Sequence, residues 1–115
     1  MVNSNMIQFS RIECRTAEAI FGDMIDIYFG GQRIWEGPVN TNGTYDIAQS
    51  RRIPQGRGAQ IVINQWYFGQ WRECVYTSPP VRRTDIPGEQ IHSVDPTFDG
   101  DPKGEYVLYV VLEKN

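Results

Sequence analysis

Asp23-Met-Ile-Asp-Ile-Tyr-Phe-Gly-Gly-Gln-Arg-Ile-Trp35 decides the fold class. Ile25, Ile27 and Phe29 recur at every second position, the period of a strand, while Asp26 and Tyr28 fall on the opposite face. Gly30-Gly31 supplies the positive φ that a tight hairpin needs, so Gln32 to Glu36 is read as the returning strand.

Outward from this hairpin the same grammar repeats: short runs rich in β-branched and aromatic residues, separated by Gly, Pro, Asn and Asp, with no sustained helical periodicity. Upstream, Met6 to Cys14 places Ile7 and Phe9 on one face and Ile12 and Cys14 on the other, a slip in phase that predicts a bulge near Ser10. Downstream, Gly37 to Gly43 reads as a turn, Thr44 to Ile47 as a strand, and Ala48 to Gly58, with three arginines, Pro54 and two glycines, as a loop. Ala59 to Trp66 is apolar on both faces, as a central strand requires. Trp71 to Thr77 and Glu89 to Val94 are further strands, and Ser78 to Thr84, interrupted by Pro79-Pro80, is an exposed loop or sheet edge. Asp95 to Gly104 reads as a loop, and Glu105 to Glu113 as a second central strand. The whole predicts an all-β, single-domain antiparallel β-sandwich of about eight short strands spanning residues 1–115.

Composition narrows the function classes. At 115 residues, 40% of them hydrophobic and 22% charged, the chain has what one core needs and does not read as disordered. A net charge of −3 gives no electrostatic reason to expect nucleic acid, whose binders display a basic face. Tyr106 to Leu112 is the longest apolar stretch, far short of the roughly 20 residues that cross a bilayer, and no basic segment followed by an apolar core marks a Sec signal peptide. The expectation is a chain without a transmembrane segment, cytoplasmic by default. There Cys14 and Cys74 are expected as thiols, two small buried residues, with one disulfide as the alternative.

Several pieces, taken in order, resemble a C2-like β-sandwich, a fold of small lipid-binding or calcium-binding modules. The Asp23–Trp35 hairpin is similar to the family's Asp-led strand and glycine turn, Asp85-Ile-Pro-Gly88-Glu-Gln-Ile91 to an Asp-x-x-Gly step after its third tip loop, and Gly104 to Leu112 to its last strand; together they span about a third of the chain. The resemblance implies calcium held by acidic residues on neighbouring tip loops. Here the first tip offers Glu18 and Asp23 and the third offers Glu73 before Asp85, with aromatic and basic residues in much of the remaining space.

Three constellations stand out. Tyr67-Phe68-Gly69-Gln70-Trp71 puts three aromatics about a turn glycine, so Tyr67, Phe68 and Trp71 are candidate contacts for a membrane interface, a sugar ring or a protein partner; the alternative is packing over an open end of the core. Arg82 and Arg83 would add attraction for an anionic head group or an acidic partner if they lay beside that tip. No cofactor is expected, with calcium as the alternative: Asp95, Asp99 and Asp101 form a partial shell for it, without the glutamate that closes an EF-hand loop, or are three acids in a solvated, proline-bounded turn.

No catalytic residues are expected. Ser, His and Asp occur without a nucleophile–base signature, His92 sits in a strand pattern, and no phosphate loop or dinucleotide fingerprint is present. The reading is a non-catalytic binding module contacting a ligand, a membrane surface or a protein partner through loops at one end. A self-assembling sandwich subunit is the first alternative, and a calcium-binding domain using the Asp95–Asp101 loop the second.

Overall fold

The computed structural model describes the chain except residues 20–21, 68–69, 95–96, 99–100 and 103, and gives the backbone alone for residues 71, 97–98 and 101–102. Among the described residues ten strands follow in order: β1 Met6–Thr16, β2 Asp23–Phe29, β3 Gln32–Val39, β4 Gly43–Arg52, β5 Ile61–Tyr67, β6 Trp71–Thr77, β7 Gly88–Ser93, the two-residue β8 Thr97–Phe98 and β9 Asp101–Pro102, and β10 Glu105–Glu113. Two four-stranded antiparallel sheets, β4-β1-β10-β7 and β3-β2-β5-β6, make the sandwich, and β8 pairs with β9 as a short ribbon.

The alternation read in β2 sets its faces. Ile25, Ile27 and Phe29 are buried toward the other sheet, where Phe29 meets Phe9 edge-on at 5.5 Å between ring centroids. Ile7, Phe9 and Ile12 of β1, Ile61 and Ile63 of β5, and Leu108, Val110 and Leu112 of β10 complete the core. β5 and β10 are internal strands, as their two-faced apolar runs predicted. The slip near Ser10 is a bulge: Phe9 pairs with Val110 and Arg11 with Tyr109, leaving Ser10 as the extra residue.

Four local readings change. β3 runs through Gly37 and Pro38 to Val39, which shortens the expected turn to residues 40–42; Pro38 is tolerated because β3 is a sheet edge. The stretch read as a loop after Ile47 continues as β4 to Arg52, paired with β1, with Ala48 at φ 53° taking up an extra residue opposite the β1 bulge. The segment 95–104 is not wholly a loop, since it contains β8 and β9. Finally, Cys14 is buried and Cys74 is exposed, and both are thiols.

Because the strands run antiparallel, the connections sort to two ends. The β1–β2 loop, the 40–42 turn, the β5–β6 tip and the segment between β7 and β10 lie at one end. The β2–β3 turn, the residues between β4 and β5, and the 78–87 crossover lie at the other. The molecule is elongated, 46 × 24 × 23 Å.

Candidate functional site

At the loop end, Asp23 opens β2 as a buried carboxylate facing the interior. It is not stranded there. Its Oδ2 accepts from the Glu18 amide at 2.9 Å and its Oδ1 from the Ala19 amide at 3.0 Å, so the side chain shapes the β1–β2 loop in the manner of an Asx cap. The Tyr106 hydroxyl closes the set by donating to Asp23 Oδ2, with Gln65 Oε1 at 3.1 Å. Gln65 Nε2 donates to Glu18 Oε2 at 2.5 Å, and the Tyr67 hydroxyl lies 3.0 Å from that same oxygen and 3.2 Å from Glu73 Oε2.

Small residues make the network possible. A Cβ on Gly104 would stand 2.1 Å from the Tyr106 hydroxyl oxygen and 2.7 Å from Asp23 Oδ2. Gly22, at φ +95°, lies so close to the 40–42 turn that a Cβ would meet Asn40 Oδ1 at 2.3 Å. The Ala17 amide donates to Thr41 Oγ1 at 2.9 Å, which ties the first loop to that turn.

Beside this network opens a cavity of about 540 Å³, lined by Glu18, Ala19, Gly22, Asp23, Met24, Gln65, Trp66 and Tyr67. Met24 and Trp66 pair across β2 and β5 on the outer face of the sheet, and they also border a neighbouring hollow with Arg33, Glu36, Gly37 and Pro38. Trp66 is oriented by its indole N–H, which donates to Asp26 Oδ2 at 2.7 Å. Asp26 is fully buried although it faces outward, because Asn64 Nδ2 takes the other oxygen at 2.7 Å. Arg72 reaches over the Tyr28 ring at 5.4 Å and the Trp66 ring at 5.9 Å.

Burial and the adjacent carboxylates push the Tyr67 and Tyr106 phenols well above their ordinary range. Burial first, and the Asp23 charge second, push the Cys14 thiol up to about 11. His92 stands apart from the loop network, between the sheets: Tyr76 hydroxyl meets its Nδ1 at 2.7 Å, Gln90 Oε1 its Nε2 at 3.1 Å, and burial lowers its pKa.

Of the sequence-read candidates, Tyr67 is at the loop end, at the edge of this cavity. Trp71 begins β6 opposite it, pairing with Tyr67, its side chain being outside the described residues along with Phe68. Arg82 and Arg83 are separated from the aromatic tip: they belong to the 78–87 crossover at the opposite end, where Arg83 Nε donates to the Ile53 carbonyl at 2.7 Å. Asp85, placed by resemblance just after a tip loop, is at that far end too and accepts from the Arg82 amide at 2.9 Å. Asp95 and Asp99 lie outside the described residues, and Asp101 is described only as backbone in β9.

A calcium shell needs six to eight free oxygen donors. Among the described residues no three His, Cys, Asp or Glu side chains are grouped to hold a metal. Asp23 already receives three hydrogen bonds, so the described loop end does not fit that ion. Gln65, Asp26, Trp66 and Tyr106 were not read as site residues from the sequence. Their only signal was a polar or amphipathic residue inside a strand, and their partners lie up to 83 positions away.

No protein-family profile matches the chain, and no curated protein matches it in sequence. Solved structures do match in shape. One described as a C2 domain superposes with a TM-score of 0.59 at 10% identity, over 96% of this chain and 99% of that one. The C2 domain designated A of a plant extended synaptotagmin 1 superposes with a TM-score of 0.52 at 8% identity, over 100% of this chain and 98% of that one. At such identities the likeness is one of architecture, and the chain has a C2-like β-sandwich fold.

Proposed function

We propose that this chain is a non-catalytic binding module that receives a basic segment of a protein partner at its loop end. The observation that carries the reading is the cavity of about 540 Å³ beside the β1–β2 loop. Its apolar wall, Met24 and Trp66, offers the contact area that anchors a partner side chain. Its polar rim is preorganised: Glu18 is held by Gln65 and Tyr67, and the Glu73 carboxylate meets the same Tyr67 hydroxyl. A carboxylate rim beside an aromatic face complements an ammonium or guanidinium group.

The same arrangement disfavours acid–base chemistry. Tyr67 and Tyr106 hold their protons far above neutrality, so neither phenol is poised to exchange a proton near pH 7. The test is amide and indole NMR of the folded chain titrated with a lysine- and arginine-rich peptide. Shifts confined to Glu18, the Gln65 side-chain amide, the Trp66 indole and Tyr67, weakened about tenfold by Glu18→Gln, are expected. Absent shifts, or shifts centred elsewhere, overturn the reading.

A further inference from the structure

The two sheets end in four edge strands: β4 and β7 in one, β3 and β6 in the other. An edge strand offers unpaired amides and carbonyls to any passing strand, and proteins blunt such edges with proline, bulges and charge. Three of the four are blunted here. β3 carries Pro38, a register shift beside Ile27 and the Arg33–Glu36 ion pair at 3.0 Å. β4 is bulged at Ala48 and presents exposed Asp46 and Arg52. β6 shifts register between Cys74 and Tyr76 and exposes Arg72 and Glu73.

β7 differs. Its six residues pair with β10 in unbroken register from Ser93↔Val107 to Gly88↔Leu112. It holds no proline, its only charge is Glu89, and its centre is Ile91, which is 57% exposed. We infer that β7 is the contact by which two copies of this chain pair, antiparallel about a two-fold axis at Ile91, into one continuous eight-stranded sheet.

The sequence of the strand is self-complementary in that register. Ile91 then stands opposite Ile91 of the second copy, Gln90 opposite His92, and Glu89 opposite Ser93, so no like charges meet and the exposed isoleucines cover each other. Moving the axis to Gln90 would set Glu89 against Ile91 and forfeit the apolar pair.

Charge supports the same arrangement. Arg51, Arg52, Arg57, Arg82 and Arg83, dispersed in sequence, converge at the end where β7 begins: Arg83 bonds the Ile53 carbonyl, and Gly58 packs so closely on Val81 and Arg82 that a Cβ would lie 2.0 Å from the Val81 carbonyl oxygen. Among the described residues none of these five is in an ion pair. With Lys114 they make six basic side chains against Asp85, Glu89 and Glu113 at this end, while the remaining five basic and eleven acidic side chains leave the rest of the chain strongly negative. Antiparallel pairing through β7 sets the long axes of the two copies head to tail. The arginine end of each then faces the acidic loop end of the other.

Sedimentation velocity over a concentration series reaching about 1 mM, spanning the affinities of weak interfaces, tests the inference. A shift toward twice the 13.2 kDa chain mass is expected. Ile91→Lys should weaken association at least about tenfold, because it opposes two ammonium groups on adjacent strands, with the thermal midpoint unchanged. In a Cys74→Ser background, Ile91→Cys should form an intermolecular disulfide on mild oxidation, while Gln90→Cys, facing a histidine of the second copy, should not. A monomer throughout the series, or a dimer that survives Ile91→Lys, overturns the inference. Neither outcome decides the peptide titration, which is run below the concentrations of association and reads the loop end rather than the β7 edge.

Discussion

At the residue scale, the two cysteines show how far a sequence reading reaches. Both sit in apolar-looking runs, but whether a strand residue faces the core depends on the register of its sheet. β1 turns Cys14 inward, and the edge strand β6 leaves Cys74 in solvent. Thiolate is the reactive form, and burial pushes Cys14 up to about 11, so its thiolate fraction at pH 8 is about a thousandth. Iodoacetamide at pH 8 should therefore modify Cys74 alone in the native chain and both residues in denaturant, read by intact mass and peptide mapping; two labels on the native chain within minutes would contradict the placement.

His92 gives a second residue-scale expectation. Its pKa is lowered in the folded state by burial, and the neutral ring fits its partners, since one nitrogen accepts from the Tyr76 hydroxyl while the other donates to Gln90. The unfolded chain binds a proton near the ordinary value of about 6.5, so below that pH the unfolded state holds more protons than the folded one. Stability contributed by neutral His92 is then present above pH 6.5 and is lost as pH falls toward the depressed folded value. Urea midpoints measured between pH 7.5 and 5.5 should fall on acidification, and His92→Asn should flatten that part of the slope. An unchanged slope in the variant would assign the pH dependence to other groups.

Among elements, what was legible follows from the apolar load of each strand. β2, β5 and β10 bury alternate or both faces, and burial is the signal that composition carries. The second half of β4, Ala48-Gln-Ser-Arg-Arg52, buries almost nothing; it is a strand because β1 hydrogen-bonds it, a tertiary cause absent from its own residues. The loop-end network was illegible for the same reason, since Glu18, Asp23, Gln65 and Tyr106 belong to a loop and three strands brought together only by the fold.

That network makes Gly104 an element-scale test. Glycine is required there for space, because a methyl group would collide with the Tyr106 hydroxyl and the Asp23 carboxylate. Tyr106→Phe removes one donor but leaves Asp23 its two amides, so a cost of about 1–2 kcal/mol is expected in denaturant unfolding. Gly104→Ala must displace the tyrosine or the β10 entry as well and should cost more, about 2–4 kcal/mol. Near-additive losses in the double variant would show that the methyl group and the hydroxyl do not meet. A double variant about as stable as Gly104→Ala alone is the expected result, since the methyl group, which also meets the ring Cζ at 2.4 Å, has already pushed the ring off Asp23 and the hydroxyl has no bond left to lose.

For the molecule as a whole, the long axis separates two kinds of surface. The cavity of Glu18, Trp66 and Tyr67 lies at the loop end, whereas Ile91 lies on the side of the sandwich, on an edge strand of the opposite sheet. The hydrogen bonds that hold Glu18 run to Asp23, Gln65 and Tyr67, none of them in β7, so the two surfaces are coupled only through charge, the arginine end of one copy facing the loop end of the other. Ile91→Lys is expected to abolish concentration-dependent sedimentation and leave titration with the basic peptide unchanged. Glu18→Gln is expected to weaken the peptide about tenfold and to weaken self-association far less than Ile91→Lys does, because it removes one acidic charge from the loop end without altering the edge register. Reciprocal loss, with either variant abolishing both behaviours, would mean that the basic peptide binds across the dimer rather than within one loop end, and the cavity would then be one half of a shared site.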